Sequence, residues 1–350
     1  MDAICPNTLR AIRFERPQYI PVVFWINPAC WHHYRPQALL ELMAAHRILF
    51  PRFDPETFRA PELAPWERAG APYTDAWGCV WQTTDDGITG TVTQNPLVDW
   101  GAFGQFTAPD PARTNGTAAL DWSREKTEAQ EIAAQGDSCV GSLEHGHTFL
   151  RLCYLRGYES LMLDLMDGEA RLRTLIDMVE TFNVDIVQRY LDLGAAVVCY
   201  PEDLGAQTAP LISPELFRKY IKPIYERLTA PTRQAGSLVH MHSDGNIRGL
   251  ADDLIAGGID VLNLQDLVNG IDWIAANLKG RVCIDLDIDR QRVTRFGTTA
   301  QIDALIREEV EKLGSPEGGL MLIYGLYPGM PIENVRAVMD AMERYAGLYD

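Results

Sequence analysis

The stretch Ser237-Leu-Val-His240-Met-His242-Ser-Asp244-Gly245 contains the strand end from which the fold can be worked out. Its apolar start predicts a buried strand, and the amphipathic run 247–256 after it predicts a helix. Side chains two residues apart lie on one face of a strand, so His240, His242 and Asp244 are expected to point the same way. The strand therefore ends in a set of ligand or proton-transfer groups just before a helix.

The same alternation of short apolar runs with longer amphipathic runs continues to the end of the chain. The other pairs are 197–200 with 214–228, 261–264 with 271–278, 282–284 with 298–313, and 320–324 with 331–345. Sustained alternation of this kind predicts a parallel sheet with helical crossovers. Doubly wound sheets and (β/α)8 barrels both satisfy it.

The positions of polar residues favour the barrel. At least five predicted strands end in such residues, namely Glu202-Asp203, His242 to Asp244, Gln265-Asp266, Asp285 to Asp287, and Tyr324. Functional groups of these barrels come from the carboxyl ends of several strands, whereas a doubly wound sheet concentrates them at one switch point. No strand is followed by a G-x-G-x-x-G or Walker A sequence. The predicted fold class is α/β, a (β/α)8 TIM barrel.

The first 135 residues are less regular. The run 21–24 is a candidate first strand and 36–50 a candidate helix, whereas 53–121 is rich in turn signals and predicts short hairpins. We interpret 53–121 as an irregular insertion over the barrel mouth. No Gly/Ser-rich linker separates it, so residues 1–350 are expected to form a single domain.

Composition excludes several classes of protein. The net charge of −17 and the absence of basic runs argue against a nucleic-acid partner. The seven cysteines are scattered, without a C-x-x-C pair, which indicates a reducing cytosol rather than a disulfide framework. The sequence has neither a signal-peptide pattern nor an unbroken apolar run of membrane length, so cytoplasmic localisation away from membranes is expected.

The His240, His242 and Asp244 set has the nitrogen and oxygen ligands that suit zinc, with an open position for water or substrate. We therefore predict these three residues as metal ligands. In the alternative reading, one histidine packs under the rim and Asp244 caps the next helix.

Further candidates lie at other strand ends. Glu202 and Asp203 follow an apolar run, and at least one of them is expected to face the lumen as a ligand or general base. The other can be explained as an acid at a helix amino terminus. Asp287 lies among three acids spaced two residues apart, which either are exposed or face a cation. Glu144-His145-Gly-His147 has a similar character but is equally compatible with a surface turn.

The amino-terminal part offers aromatic and acidic candidates. Asp75 and Trp77 lie in Tyr73-Thr-Asp75-Ala-Trp77-Gly78, where burial among aromatics would raise a carboxyl pKa. Trp25 and Asn27 belong to an aromatic segment that can line a substrate pocket. In the alternative interpretation, Asp75 is a turn residue and the aromatics are core.

Several of these segments together resemble the uroporphyrinogen decarboxylase superfamily. The matching segments are Arg13-Phe-Glu-Arg16-Pro17, Asp75-Ala-Trp77-Gly78, Glu202-Asp203-Leu-Gly205-Ala-Gln207, His242-Ser-Asp244-Gly245-Asn246 and Tyr327-Pro-Gly-Met330-Pro331. The superfamily includes the haem-pathway decarboxylase and zinc-dependent methyltransferases that exchange methyl groups with corrinoid proteins. The resemblance implies the (β/α)8 barrel and places Gln207 near the substrate.

The chain departs from both branches of the superfamily. The segment Trp25-Ile-Asn27-Pro-Ala-Cys30 lacks the arginines with which the decarboxylases hold a polyanionic tetrapyrrole. The methyltransferases carry zinc on H-x-C and a later cysteine, but here the corresponding positions are His242, Asp244 and Tyr324. Oxygen groups thus replace both thiolates, which broadens the candidate metals beyond zinc.

The main hypothesis is a metal-assisted methyltransferase that moves a methyl group from a small O- or N-methylated substrate to a corrinoid protein. Catalytic roles fall to Glu202, Asp75 and Tyr324, and substrate contacts to Trp25, Asn27, Trp77, Asp203, Gln207 and Asp287. Expected partners are the substrate, a corrinoid protein and, in a homodimer, a second copy of the chain. The alternatives are a cofactor-free decarboxylase of a smaller acid and a barrel that binds a ligand without chemistry.

Overall fold

The computed structural model describes residues 1–347. The strands are β1 (Asp2–Ile4), β2 (Val22–Ile26), β3 (Tyr73–Thr74), β4 (Val80–Gln82), β5 (Thr91–Gln94), β6 (Ser138–Ser142), β7 (Ala195–Asp203), β8 (Leu238–Asp244), β9 (Val261–Gln265), β10 (Cys283–Asp287) and β11 (Leu320–Leu326). The helices are α1 (Pro6–Arg13), α2 (Cys30–His33), α3 (Pro36–Ala45), α4 (Trp122–Ala134), α5 (Phe149–Arg156), α6 (Tyr158–Asp167), α7 (Ala170–Asp192), α8 (Pro214–Leu216), α9 (Lys222–Gln234), α10 (Ala251–Ala256), α11 (Asp266–Asn269), α12 (Ile271–Asn277), α13 (Val293–Phe296), α14 (Thr299–Leu313) and α15 (Ile332–Ala346).

The chain divides into two compact units. The first contains Met1–Pro6, Thr74–Trp81 and Val92–Leu264, and the second contains Asn7–Tyr73, Gln82–Thr91 and the chain from Gln265 onward. In the first unit the strand order is β1, β6, β7, β8, β9; in the second it is β10, β11, β2. The expectation that the whole chain is one domain stays a prediction.

The predicted parallel sheet with helical crossovers is confirmed. In the first unit β6, β7, β8 and β9 pair in parallel, and in the second β10, β11 and β2 do the same. The exception is β1, which runs antiparallel to β6 and which the sequence pattern does not reveal. Because neighbouring parallel strands share their direction, their carboxyl ends meet at one edge of the sheet.

Side chains alternate along β8 between a buried and a half-buried face. Val239, Met241 and Ser243 are at most 2% exposed. His240, His242 and Asp244 occupy the alternate positions and are half-buried. A strand has a side-chain period of two, so His240, His242 and Asp244 share one face while Val239, Met241 and Ser243 are buried on the other.

One predicted helix is interrupted in the structure. The run 214–228 is interrupted by a π-helical turn, Phe217–Ile221, between α8 and α9. Pro223 lies in the first turn of α9. Because proline has no backbone N–H to donate, the regular pattern of helical hydrogen bonds is interrupted before it by the wider π-helical turn. Region 53–121 forms the sheet β3, β4, β5 and two 3-10 helices, Pro65–Glu67 and Trp100–Gln105, which matches the predicted short hairpins.

Among residues 1–347, no helix is both long and apolar enough to cross a membrane.

Candidate metal centre

Three side chains of the first unit converge beyond the carboxyl ends of β6, β7 and β8. A ligand atom from each of His145, Asp203 and His242 lies within 4.8 Å of the others. The Nε2 atoms of His145 and His242 are 3.4 and 3.6 Å from Asp203 Oδ1. The side chains are 45%, 28% and 21% exposed for His145, Asp203 and His242, so the group is open to solvent on one side. Two imidazoles and a carboxylate form a ligand set for a divalent metal with nitrogen and oxygen preference.

Asn263 on β9 fixes the ring of His242. His242 and Asn263 are register partners, and the Nδ1 of the ring is hydrogen-bonded to the side-chain oxygen of Asn263. An amide oxygen can only accept, so Nδ1 carries the proton and Nε2 keeps its lone pair. The lone pair is on the nitrogen nearest Asp203, as a ligand nitrogen requires.

The surroundings favour the metal-binding protonation states of Asp203 and His242, whereas His145 has to lose a proton before it can bind a metal. Burial alone would lower the pKa of His145, but the hydrogen bond and charge of Asp203 outweigh it and raise that pKa. Burial alone would raise the pKa of Asp203, but His145 holds it below its usual range. Burial lowers the pKa of His242. The carboxylate is therefore ionised and His242 neutral, the states in which both groups bind metal.

The loop that carries His145 is held by its backbone. Gly146 adopts φ +73°, and its N–H donates to the carbonyl of Pro201 at 2.9 Å. A Cβ atom at Gly146 would lie 2.9 Å from the Cβ of Leu150, so glycine meets both a backbone and a packing requirement. His145 is thereby presented toward the end of β7.

Glu202, predicted as catalytic, is held at the start of α5. This side chain is fully buried and accepts hydrogen bonds from the backbone N–H groups of Thr148, Phe149 and Leu150 at 2.7 to 3.1 Å. Tyr225 adds a fourth bond at 3.0 Å. Glu202 thus caps the start of α5, because period-two alternation in β7 turns it to the opposite face from Asp203.

The predicted ligand set and the observed group share only His242. Asp244 lies at the edge of the group, with Oδ1 3.8 Å from His242 Nε2 and its N–H donating to Asp203 Oδ1 at 3.0 Å. His240 lies two residues earlier on the same face and is outside the group. Residues i and i+2 of a strand are roughly 6.6 Å apart, whereas adjacent strands are about 4.8 Å apart. The observed group accordingly combines side chains from neighbouring strand ends and not from a single strand.

Asp75, predicted as catalytic, is a buried structural anchor. Its Oδ1 accepts from the N–H groups of Trp77 and Cys79 at 3.0 and 2.8 Å. Its Oδ2 accepts from Trp81 Nε1 at 3.0 Å and from Arg151 Nη1 at 2.7 Å. Asp75 is 4% exposed, so the carboxylate is fully engaged and closed to a substrate. The catalytic role of Asp75 stays a prediction.

Trp77 and Gln207, both predicted as substrate contacts, lie in different surroundings, and their predicted role stays a prediction. Trp77 is 2% exposed and packs edge to face on Phe182, with ring centroids 5.1 Å apart, which makes it a core residue. Gln207 is exposed in the loop that follows β7.

In the second unit, Tyr324 and Asn27 are likewise engaged in structural roles. The hydroxyl of Tyr324 donates to Thr294 Oγ1 and lies at the same distance, 3.1 Å, from Met330 Sδ, while the ring stacks on Phe24. Burial raises the pKa of Tyr324 and keeps it neutral. Asn27 is 6% exposed, and its Oδ1 accepts from the N–H of Ala29 at 2.9 Å, which stabilises the turn before α2. The catalytic role of Tyr324 stays a prediction.

The remaining predicted contacts of the second unit are Trp25 and Asp287. Trp25 is 36% exposed. Asp287 is 6% exposed and pairs with Arg290 at 2.5 Å, so the predicted run of acids faces a cation at this position.

Sequence reasoning missed two members of the centre, His145 and Asn263. The signal for His145 is present in Glu144-His145-Gly-His147, which directly follows the strand β6. Asn263 lies in the middle of an apolar strand, where an isolated polar residue predicts a hydrogen-bond partner on the adjacent strand.

The sequence model of the uroporphyrinogen decarboxylase (URO-D) family matches residues 143–345, more than half of the chain. The chain belongs to the URO-D family. The matched segment includes all three residues of the candidate centre. The resemblance deduced from sequence motifs is thus confirmed at the level of the family.

Individual relatives are distant. Human uroporphyrinogen decarboxylase is 26% identical over 149 residues, covering 39% of this chain and 38% of the relative. The Thermus thermophilus enzyme is 31% identical over 140 residues with the same coverage of both chains. The chain thus matches about two fifths of the length of these curated relatives.

A solved structure gives the fold over the full length. A methyltransferase from Methanosarcina mazei superimposes with a TM-score of 0.63 at 18% identity and covers 99% of both chains. The predicted fold class, the (β/α)8 barrel of the URO-D type, is confirmed.

Proposed function

We propose that this URO-D family member is a metal-assisted methyltransferase. Its donor would be a small O- or N-methylated molecule, and its acceptor a corrinoid carried by a second protein. The convergence of His145, Asp203 and His242 is the observation that supports this proposal. The cytosol is the expected compartment, and a homodimer the expected assembly.

The donor set fits a divalent metal. It contains two imidazoles and one carboxylate, and Asn263 already holds the His242 ring with Nε2 toward Asp203. Zinc is the first candidate, and the oxygen ligand admits harder ions. A bound ion would act as a Lewis acid on the oxygen or nitrogen that carries the methyl group.

The proposed reaction consumes one proton, which a side chain beside the donor set can deliver. In the proposed reaction the methyl group leaves its oxygen or nitrogen and passes as a cation to the electron pair of a reduced cobalt corrinoid. The oxygen or nitrogen left behind takes up one proton. Asp244 has its Oδ1 3.8 Å from His242 Nε2 and a side chain that is 38% exposed, so it is in reach of both the donor set and solvent and can relay that proton.

The alternative, a cofactor-free decarboxylase, has less support from the surroundings of its proposed residues. It requires Asp75, Tyr324 and His242 to stabilise developing charge, but the first two are buried with their polar atoms engaged. Only His242 remains beside solvent, and its Nδ1 is already bonded to Asn263. Because the relatives reported above are decarboxylases by name, carbon dioxide release is measured as well.

The test compares metal-stripped protein with protein reloaded with zinc. Each is incubated with free cob(I)alamin as methyl acceptor and a panel of methoxylated aromatics and methylated amines, and carbon dioxide release from simple carboxylic acids is followed in parallel. We expect methyl transfer only with metal, and a loss of more than about 100-fold in His242→Ala, since even outer-shell changes cost roughly 10- to 100-fold.

The matched control is His33→Ala. His33 forms an exposed pair with Asp85 at 3.2 Å and is not part of the candidate centre. This variant is expected to keep full activity. Metal-independent carbon dioxide release that survives His242→Ala would contradict the proposal and favour the decarboxylase.

A further inference from the structure

An aromatic surface of the second unit remains exposed at the ends of β2 and β11. We call it the Trp25 platform and define it by Val23, Trp25, Gly325 and Tyr327. Val23, Trp25 and Tyr327 are 51%, 36% and 38% exposed. Phe24, between the first two, is 4% exposed and packs on Tyr324, so alternation in β2 places Val23 and Trp25 on the opposite face from the core. An exposed cluster of large apolar side chains on a sheet marks a binding surface.

Gly325 makes room for the indole ring. It is the register partner of Trp25 on β11. A Cβ atom there would lie 2.5 Å from Cζ2 and 2.6 Å from Cε2 of Trp25, closer than any such contact permits. The indole therefore lies against the backbone of β11 at Gly325, while Trp25 stays 36% exposed.

Tyr327 forms the second wall of a corner. Its ring lies 5.3 Å from that of Trp25 at an interplanar angle of 77°. Arg290 is placed over Tyr327, with Cζ 5.4 Å from the ring centroid, and pairs with Asp287 at 2.5 Å. The cation beside the platform thus has its own counter-charge, and the corner favours an uncharged ligand.

We propose that the Trp25 platform binds the planar aromatic ring of an uncharged small molecule. The ring would stack on the exposed face of Trp25 and meet Tyr327 in an edge-to-face arrangement, the two geometries that aromatic pairs prefer. An aromatic ring would gain roughly two- to twelve-fold in affinity over a saturated ring of equal size. This inference uses residues of the second unit alone and does not depend on the metal.

The experiment measures dissociation constants on the full chain by ligand-observed NMR. Benzyl alcohol is the probe, cyclohexylmethanol the saturated match, and tetramethylammonium the cationic alternative. Benzyl alcohol is expected to bind the most tightly, by roughly two- to twelve-fold over cyclohexylmethanol. Equal affinity for the two alcohols, or tighter binding of tetramethylammonium, would overturn the proposal.

Variants locate the site. Trp25→Leu is expected to abolish the preference for the aromatic alcohol, and Trp25→Phe to retain part of it. Gly325→Ala keeps the indole but displaces it from β11, and is expected to weaken binding. The control is Phe296→Leu, which removes a 77% exposed aromatic elsewhere in the same unit and should leave binding unchanged. A preference that persists in Trp25→Leu would also overturn the proposal.

Discussion

Asp75 and Arg151 form an ion pair that is almost completely buried. Their side chains are 0% and 2% exposed, and 2.7 Å separates the charged atoms. The guanidinium also lies 5.9 Å from the ring centroid of Trp77 and 5.5 Å from that of Tyr154. A charge in such surroundings requires its partner, so Asp75 stabilises the fold.

Asp75→Asn is expected to lower the free energy of unfolding by about 3 kcal/mol or more, because it leaves the Arg151 charge buried without compensation. Urea unfolding measures the change. Asp85→Asn, which breaks an exposed pair with His33, should change stability by about 0.5 kcal/mol at most. Equal losses in both variants would contradict the structural role of Asp75.

Tyr324→Phe separates a structural role from a catalytic one. Removal of the hydroxyl breaks its contacts with Thr294 and Met330 and is expected to cost about 1 kcal/mol of unfolding free energy. Metal content should stay at the wild-type level. A variant of normal stability with abolished methyl transfer would restore Tyr324 to the catalytic groups.

These residues show why sequence identified residue types better than roles. Asp75, Glu202 and Tyr324 are chemically able to act as acids or bases, but each has its polar atoms engaged by partners distant in sequence. His242 could be predicted because strand alternation places it on the polar face. His145 could not be paired with it, because their approach depends on how two neighbouring strands end.

At the level of elements, Glu202 links the start of α5 to the end of β7. Its carboxylate binds three successive N–H groups at the helix start, where the helix dipole also favours a negative charge. The adjacent Asp203 contacts His145, which lies three residues before Thr148. Glu202 is therefore a positioning residue for the loop that carries His145.

Glu202→Gln is expected to destabilise the protein by roughly 1 to 3 kcal/mol, because the amide NH2 opposes N–H donors that the carboxylate accepts. Zinc affinity should fall as well, since the loop that carries His145 loses its anchor. Titration calorimetry with zinc and urea unfolding give the two readouts.

Glu169→Gln is the matched control for Glu202→Gln. Glu169 caps α7 by accepting from the N–H of Arg171 at 3.0 Å, away from the candidate centre. Zinc affinity should be unchanged in this variant. A stability loss in Glu202→Gln with wild-type zinc affinity would show that the cap does not position His145.

Sequence patterns predicted the elements most accurately where hydrophobic periodicity is strong. The predicted strand 261–264 corresponds to β9, Val261–Gln265, and the predicted helix 298–313 to α14, Thr299–Leu313. The short β1 was missed, since three residues that pair antiparallel with β6 have no periodicity to recognise. The break before α9 depends on Pro223, whose effect the amphipathic pattern conceals.

At the scale of the whole molecule, repeated strand-helix units explain why the barrel class could be predicted. Each strand-helix pair buries one face of the strand beneath the helix, and this pattern recurs along the sequence. The convergence of His145, Asp203 and His242 depends instead on loop conformation and strand register, which no local pattern contains.

The stability of the chain should depend on pH through Glu309. This residue of α14 is 0% exposed beside Asp266, and burial raises its pKa well above the usual range. A raised pKa in the folded state means that the protonated form stabilises the fold at pH below about 4.3, and that this contribution is lost as pH rises.

Glu309→Gln should remove this part of the pH dependence, since a buried amide needs no proton to stay neutral. The gain of the variant over wild type, measured by urea unfolding, should grow from pH 5 to pH 8. Glu308→Gln, on the exposed side of the same helix, is the control and should show no such trend. A difference in unfolding free energy between Glu309→Gln and wild type that is the same at all pH values would contradict the raised pKa of the Glu309 carboxyl.

Metal content tests the central claim most directly. Protein is loaded with zinc and dialysed to remove loosely bound ions, and the zinc content per chain is measured by inductively coupled plasma mass spectrometry. Wild type and His33→Ala are expected to retain about one ion per chain, while His242→Ala and Asp203→Asn retain almost none. A wild-type protein without stably bound metal, or a His242→Ala variant with wild-type content, would contradict the assignment of His145, Asp203 and His242 as a metal centre.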